Sequence, residues 1–193
     1  MPYINYQDRE IAFKIVYCGP GLSGKTTNLM HIHNALDRDK TGELLILNTE
    51  GERTIFFDFF PLELGRIEGF AVRFNMYTVP GQLHYEASRR LILEGADGVV
   101  FVADSHVMRL DENMESFRML EDSLDTWGIE RSTFPIVLQY NKRDLPSVLP
   151  VGTLERHFGL NGIPVLEAVA NTGKGVMETI RMTAHQVIER FRL

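Results

Sequence analysis

Ile11-Ala12-Phe13-Lys14-Ile15-Val16-Tyr17-Cys18 runs straight into Gly19-Pro20-Gly21-Leu22-Ser23-Gly24-Lys25-Thr26, and the junction of these two stretches settles the fold class. The first stretch is β-branched, aromatic and mostly apolar, which predicts a buried strand. The second fills G-x-x-x-x-G-K-[ST] at every fixed position, and Leu29, Met30, Ile32 and Leu36 continue it at helical spacing. Strand, glycine loop and helix in that order make a phosphate cradle. Glycines let the backbone turn and approach closely, so that successive N–H groups and the positive end of the helix face phosphate oxygens. Lys25 is expected to neutralise the β and γ phosphates and the Thr26 hydroxyl to ligate Mg²⁺. Gly19, Pro20, Gly21, Leu22, Ser23, Gly24 and Thr27 complete the expected phosphate-binding set. The competing reading, a glycine turn with a solvated lysine, does not account for a full motif between a strand and a helix.

Outward from this unit, further strands are predicted over 44–48, 70–79, 98–104, 135–140 and 163–169, and helices over 85–93, 110–127, 151–158 and 176–192. Such alternation argues a doubly wound, mostly parallel α/β sheet flanked by helices, with its ligand at the carboxyl ends of the strands. One domain over 1–193 is the expectation, with 37–69 as a long loop and the residues before Arg9 either an edge strand or a cover for the sheet. With 20 basic and 26 acidic residues, a general electrostatic grip on nucleic acid is not expected. Cys18 is the lone cysteine, which rules out an internal disulfide and fits a reducing cytoplasm. Neither a signal peptide, a membrane-length apolar run, a Gly at position 2 nor a C-terminal cysteine is present, so no direct membrane anchor is expected.

The base is chosen elsewhere. Asn141-Lys142-Arg143-Asp144 follows the apolar strand Ile136-Val137-Leu138-Gln139-Tyr140 and matches N-K-x-D. The Asp144 carboxylate can accept both the ring N–H and the exocyclic amine of guanine, a donor pair that adenine lacks, so GTP and GDP are the expected ligands. Asn141 is expected to tie the base loop to the phosphate loop, and the Lys142 stem to lie along the purine face. The loop Glu167-Ala168-Val169-Ala170-Asn171-Thr172-Gly173 stands where a second base-closing segment belongs, with the Ala170 N–H toward the guanine oxygen and Asn171 alongside; an ordinary strand–helix turn is the alternative.

Pro80-Gly81-Gln82 follows the strand ending in Met76-Tyr77-Thr78-Val79. Gly81 can bend toward a γ-phosphate and Gln82 can orient an attacking water. Thr78 stands where the usual D-x-x-G motif has an aspartate beside Mg²⁺; either Thr78 substitutes weakly or Asp58 takes over. Thr41, Thr49 and Thr54 compete as the threonine that caps the metal, and spacing from Thr26 alone favours Thr41. Arg53, beside Thr54, could act as an arginine finger in cis.

Together these residues resemble the MglA-type bacterial Ras-like GTPases, along nearly the whole chain: Ile11 to Tyr17, Gly19 to Asn28, Glu52-Arg53-Thr54-Ile55-Phe56-Phe57-Asp58-Phe59, Tyr77-Thr78-Val79-Pro80-Gly81-Gln82 and Gln139 to Pro146. The T-V-P-G-Q form belongs to that family. The resemblance implies a Mg²⁺-dependent GTPase switch in cell polarity or gliding motility, with Arg53 as intrinsic finger, Thr54 on Mg²⁺ or the γ-phosphate in place of Thr41, and Gln82 positioning water. It also implies a Roadblock-type activating partner of the MglB kind, effectors that read the GTP state, and recruitment to a cell pole through partners. A GTP-gated scaffold with little turnover is the alternative, and Gln82 and Arg53 argue against it. A P-loop small-molecule kinase is disfavoured by the guanine motif.

Other signals read as structural. His31 and His33 point to different faces of a helix and complete no metal set. His84 reads as a surface residue, and Phe56, Phe57, Phe59 and Phe60 as mostly core. Asp104 reads as a strand-end polar residue, Asp111 and Glu112 as a helix start, and the amphipathic C-terminal stretch as a helix packed on the sheet.

Overall fold

The computed structural model describes residues 2–36, 41–46, 58–79 and 86–192. Among these, a short strand β1 (Tyr3–Asn5) precedes β2 (Glu10–Cys18), α1 (Lys25–Ala35), β3 (Leu45–Ile46), β4 (Asp58–Ile67) and β5 (Phe70–Thr78). There follow α2 (Glu86–Leu93), β6 (Gly98–Asp104), a single 3₁₀ turn Val107–Arg109 and α3 (Leu110–Thr126). The chain continues through β7 (Ile136–Asn141), α4 (Thr153–Phe158), β8 (Val165–Glu167) and α5 (Val176–Arg192). The described strands form one eight-stranded sheet in the order β3-β4-β5-β2-β6-β7-β8, with β1 beside β2. From β5 to β8 every pairing is parallel, whereas β3/β4, β4/β5 and β1/β2 are antiparallel.

Alternation along the buried strands separates two cores. Phe13, Ile15 and Tyr17 of β2, with Val100 and Val102 of β6, face Leu29 and Ile32 of α1 and Val176, Ile180, Ala184 and Val187 of α5. Val16, Cys18, Val99, Phe101 and Ala103 face the other way, against Ile92 and Leu93 of α2, Phe117, Leu120 and Leu124 of α3, and Leu154 and Phe158 of α4. Phe117 and Phe158 stack at 4.0 Å with Phe101 edge-on to both, which locks α4 and α3 to the sheet. Tyr140 adds a polar fastening: its hydroxyl donates to Glu155 and accepts the Leu154 N–H. Burial, helped by that carboxylate, pushes the phenol pKa up, so Tyr140 stays neutral.

One expectation needs correction and one alternative is decided. The span 37–69 is not all loop: its described part contains the ten-residue strand β4, which returns antiparallel on β5. Pro61 and Gly65 break its strand-like pattern, but pairing with β5 overrides that local signal. Of the aromatic residues there, Phe60 is fully buried, Phe59 packs on Tyr77, and Phe56 and Phe57 lie outside the described residues. The residues before Arg9 add a strand; of the two alternatives, the edge strand holds.

Beneath the phosphate loop lies a buried polar network. Asn28 and Gln139 exchange two amide hydrogen bonds of 3.0 Å each, Asn28 Nδ2 also donates to the Gly24 carbonyl, and Gln139 Nε2 donates to Thr179 Oγ1 at 2.8 Å. All three side chains are fully buried, so α1, β7 and α5 are joined by groups that find no water if the network breaks. Asn28→Ala should therefore cost on the order of 2–3 kcal/mol, because it strands the Gln139 amide. Urea unfolding at matched GDP concentration measures it, and an unchanged midpoint would refute the network's importance.

Candidate functional site

The site lies along the carboxyl edge of the parallel strands. Cys18 ends β2, and the phosphate loop curls from Gly19 to the first turn of α1. Gly19 has φ 134° and Gly24 has φ 102°, and a Cβ on either would collide: with the Val102 carbonyl oxygen at 2.2 Å and with Asn141 Nδ2 at 2.3 Å. Glycine is required at both places by conformation and by space. Gly24 is the N-cap of α1, no side chain caps that helix end, and its first turn carries no acidic residue. Its positive pole is thus presented to the loop. Lys25 is buried, its Nζ donating to the carbonyls of Gly19 (3.0 Å) and Pro20 (2.7 Å), so the ammonium is held within the loop. Thr26 is exposed at the same helix start, and Leu22 stands out from the loop.

Asn141, the last residue of β7, is 1% exposed. Its Nδ2 donates to the Ser23 carbonyl at 2.7 Å and its Oδ1 accepts the Ala170 N–H at 2.9 Å. A cleft of about 170 Å³ opens beside this amide, lined by Leu22, Gly24, Thr27, Lys142, Asp144, Leu145, Val169 and Asn171 among others. The structure thus brings together Gly24, Thr27, Asn141, Lys142, Asp144, Ala170 and Asn171, drawn from three separate stretches of sequence. One detail differs from expectation. The Ala170 N–H points to Asn141, where a guanine oxygen was expected, because the buried amide of Asn141 needs a donor for its own oxygen. Ala170 enters the site as part of a latch.

At the opposite flank, Val79 N–H bonds to the Tyr17 carbonyl and Thr78 pairs with Tyr17, which places the end of β5 beside the root of the phosphate loop. Thr78 Oγ1 donates to Asp58 Oδ2 at 2.9 Å and accepts the Asp58 N–H at 2.8 Å, and both residues are buried. A carboxylate from the neighbouring antiparallel strand thus stands against the position-78 hydroxyl. Carboxylate and hydroxyl oxygens are the donor types that a hard divalent cation takes, and Thr26, Asp58 and Thr78 carry them. Thr41 bridges to Leu62, and Arg53, Thr54, Gly81 and Gln82, together with Thr49 and His84, lie outside the described residues. His33 Nε2 donates to the Gly42 carbonyl at 3.1 Å and the ring packs on Phe60, and no group of three His, Cys, Asp or Glu side chains that could hold a metal occurs among the described residues.

Sequence reasoning missed three participants. Asp104 is no bare strand-end residue: its Oδ2 accepts Lys142 Nζ at 2.7 Å. Arg109 donates to the Gly21 carbonyl at 2.9 Å. Gln139 underlies Asn141 on the same face of β7, and an amide in the middle of a wholly buried strand was the signal that could have revealed it.

No protein-family model matches the chain. It is 50% identical over 192 residues to the mutual gliding-motility protein MglA of Myxococcus xanthus (strain DK1622), covering 100% of this chain and 98% of that one. To the Ras-related protein Rab-5B of Plasmodium falciparum (isolate 3D7) it is 25% identical over 193 residues, covering 97% of this chain and 83% of the other. A motif-complete phosphate loop, a guanine-type base loop latched to it, and this likeness over the full length carry one conclusion: the chain belongs to the MglA family of Ras-like small GTPases.

Proposed function

We propose that the chain binds GTP and GDP with Mg²⁺ and hydrolyses GTP slowly, as a nucleotide-dependent switch in cell polarity or gliding motility, faster when a Roadblock-type partner reshapes its switch segments. The observation that carries this reading is the Asn141 amide, which joins Ser23 of the phosphate loop to Ala170 of the base-closing loop. One side chain thus keeps the phosphate cradle and the base cleft at a fixed separation, as a purine nucleotide with a polyphosphate tail requires.

In this reading the backbone from Gly19 to Thr26 cradles the phosphates, and Lys25 turns its ammonium from the Gly19 and Pro20 carbonyls to the β and γ oxygens. Asp144 accepts both guanine donors, Asn171 flanks the base and the Lys142 stem covers the ring. Mg²⁺, held by the Thr26 and Thr54 hydroxyls with the Asp58–Thr78 pair beside them, would neutralise charge on the β and γ phosphates. Gln82, next to Gly81, orients water for in-line attack, and Arg53 stabilises the charge that develops on the γ-phosphoryl group. The name of the Myxococcus relative supports the motility role, and no described helix is long and apolar enough to cross a membrane.

Three outcomes test the assignment. Asp144→Asn replaces an acceptor by a donor facing guanine and should weaken GTP by about 100-fold or more in calorimetric titration with the melting curve unchanged; undiminished affinity refutes the base assignment. Asp58→Asn keeps the Thr78 contact but removes the charge. It should raise the Mg²⁺ concentration needed for half-maximal retention of GDP, whereas a curve that superimposes on the wild type would sink the role of Asp58. Arg53→Ala should bind GTP normally and lose partner-stimulated phosphate release, and unchanged stimulation would exclude it as the finger.

A further inference from the structure

Asp104 closes β6 and is 4% exposed, so its carboxylate must find partners inside the fold. Its Oδ1 accepts the His106 N–H at 3.1 Å, its Oδ2 accepts Lys142 Nζ at 2.7 Å, and Arg109 Nε lies 3.7 Å from the same Oδ2. Its backbone is held too: buried Asn113 of α3 accepts the Asp104 N–H and donates to its carbonyl. Arg109 reaches onward, donating to the Gly21 carbonyl at 2.9 Å and to Glu112 at 2.6 Å. The lysine of the base loop therefore meets this carboxylate directly, and Gly21 of the phosphate loop is joined to it through Arg109. This connection shares no atom with the Asn141 latch, which reaches Ser23 by another route.

We propose that Asp104 and Arg109 are positioning residues for nucleotide retention. Asp104 holds the Lys142 side chain across the base cleft, and Arg109 fastens Gly21 to the same anchor, so the base loop and the phosphate loop are held in register at two separate points. The proposal rests on the reading that Lys142 covers the guanine. It makes a prediction opposite in sign to simple electrostatics. Removing a carboxylate near a polyphosphate makes the site more positive, and Coulomb attraction alone would then slow release of GDP. Loss of positioning speeds it.

The test is release of a fluorescent GDP from the full chain, chased with excess unlabelled GDP, for wild type, Asp104→Asn, Lys142→Ala and the double variant. Asp104→Asn should release about ten-fold faster, as expected for weakening a charged hydrogen bond. In the Lys142→Ala background the same change should add no more than about two-fold, because its effect runs through that lysine. Release by Asp104→Asn at or below the wild-type rate, or an undiminished acceleration in the double variant, overturns the proposal. Lys142→Ala with unchanged release removes the base-loop reading and the proposal together, whereas fast Lys142→Ala with slow Asp104→Asn removes the brace alone. Should Asp104→Asn fail to fold, Arg109→Gln replaces it, since that side chain is 31% exposed. Arg109→Gln should accelerate release in the wild type and add little to Lys142→Ala, and strict additivity between the two overturns the brace.

Discussion

The Asn141 carboxamide is the constraint on which the site depends. It is buried, so both its donor and its acceptor must be used, and it uses them on two loops that would otherwise be free to separate. From that requirement follow the glycine at 24, where any Cβ would displace the amide, and the inward turn of the Ala170 N–H. The phosphate cradle and the base cleft are thus parts of one rigid object. Two residues back along the same strand, Gln139 repeats the device one layer deeper, tying Asn28 of α1 to Thr179 of α5. The asymmetry of buried hydrogen bonds explains why such networks hold: each bond contributes modestly, but a broken one leaves a desolvated polar group unpaired.

The rest of the chemistry is gathered by the sheet. Parallel strands all deliver their carboxyl ends to one edge, so β2, β5, β6 and β7 bring the phosphate loop, Thr78, Asp104 and Asn141 to the same side. The antiparallel return of β4 is what gives Thr78 its partner. A strand running the other way starts where its neighbour finishes, and Asp58 begins β4 beside the last residue of β5. The start of β4 therefore sets a carboxylate against the strand end that carries a threonine, and the two hold each other by hydrogen bonds. Asp104 plays a comparable part on the other flank, where a single buried carboxylate gathers Lys142 and Arg109.

Most of the fold was legible in the sequence because buried parallel strands and amphipathic helices carry their own periodicity. Gly98–Asp104 and Val176–Arg192 fall at the expected boundaries, and the other expected elements shift by a residue or two. The strand that escaped, β4, contains Pro61 and Gly65 and takes its conformation from pairing with β5. Within the site, Gly19 to Thr26 and Asn141 to Asp144 were readable because each is contiguous, so residue type and spacing already encode the geometry. Arg53, Thr54 and Gln82 rest on resemblance and on the motif around them.

Residue order alone dictates a strand–glycine loop–helix phosphate cradle, a guanine-type base loop, and the alternation that makes the sheet mostly parallel. The partners come from packing: Asp58 with Thr78 across 20 residues, Ala170 with Asn141 across 29, and Lys142 with Asp104 across 38. The physical reason is that a local motif fixes backbone shape, whereas a buried polar group accepts whichever complementary group the packed strands bring to it. No spacing rule in the chain announces which one that will be.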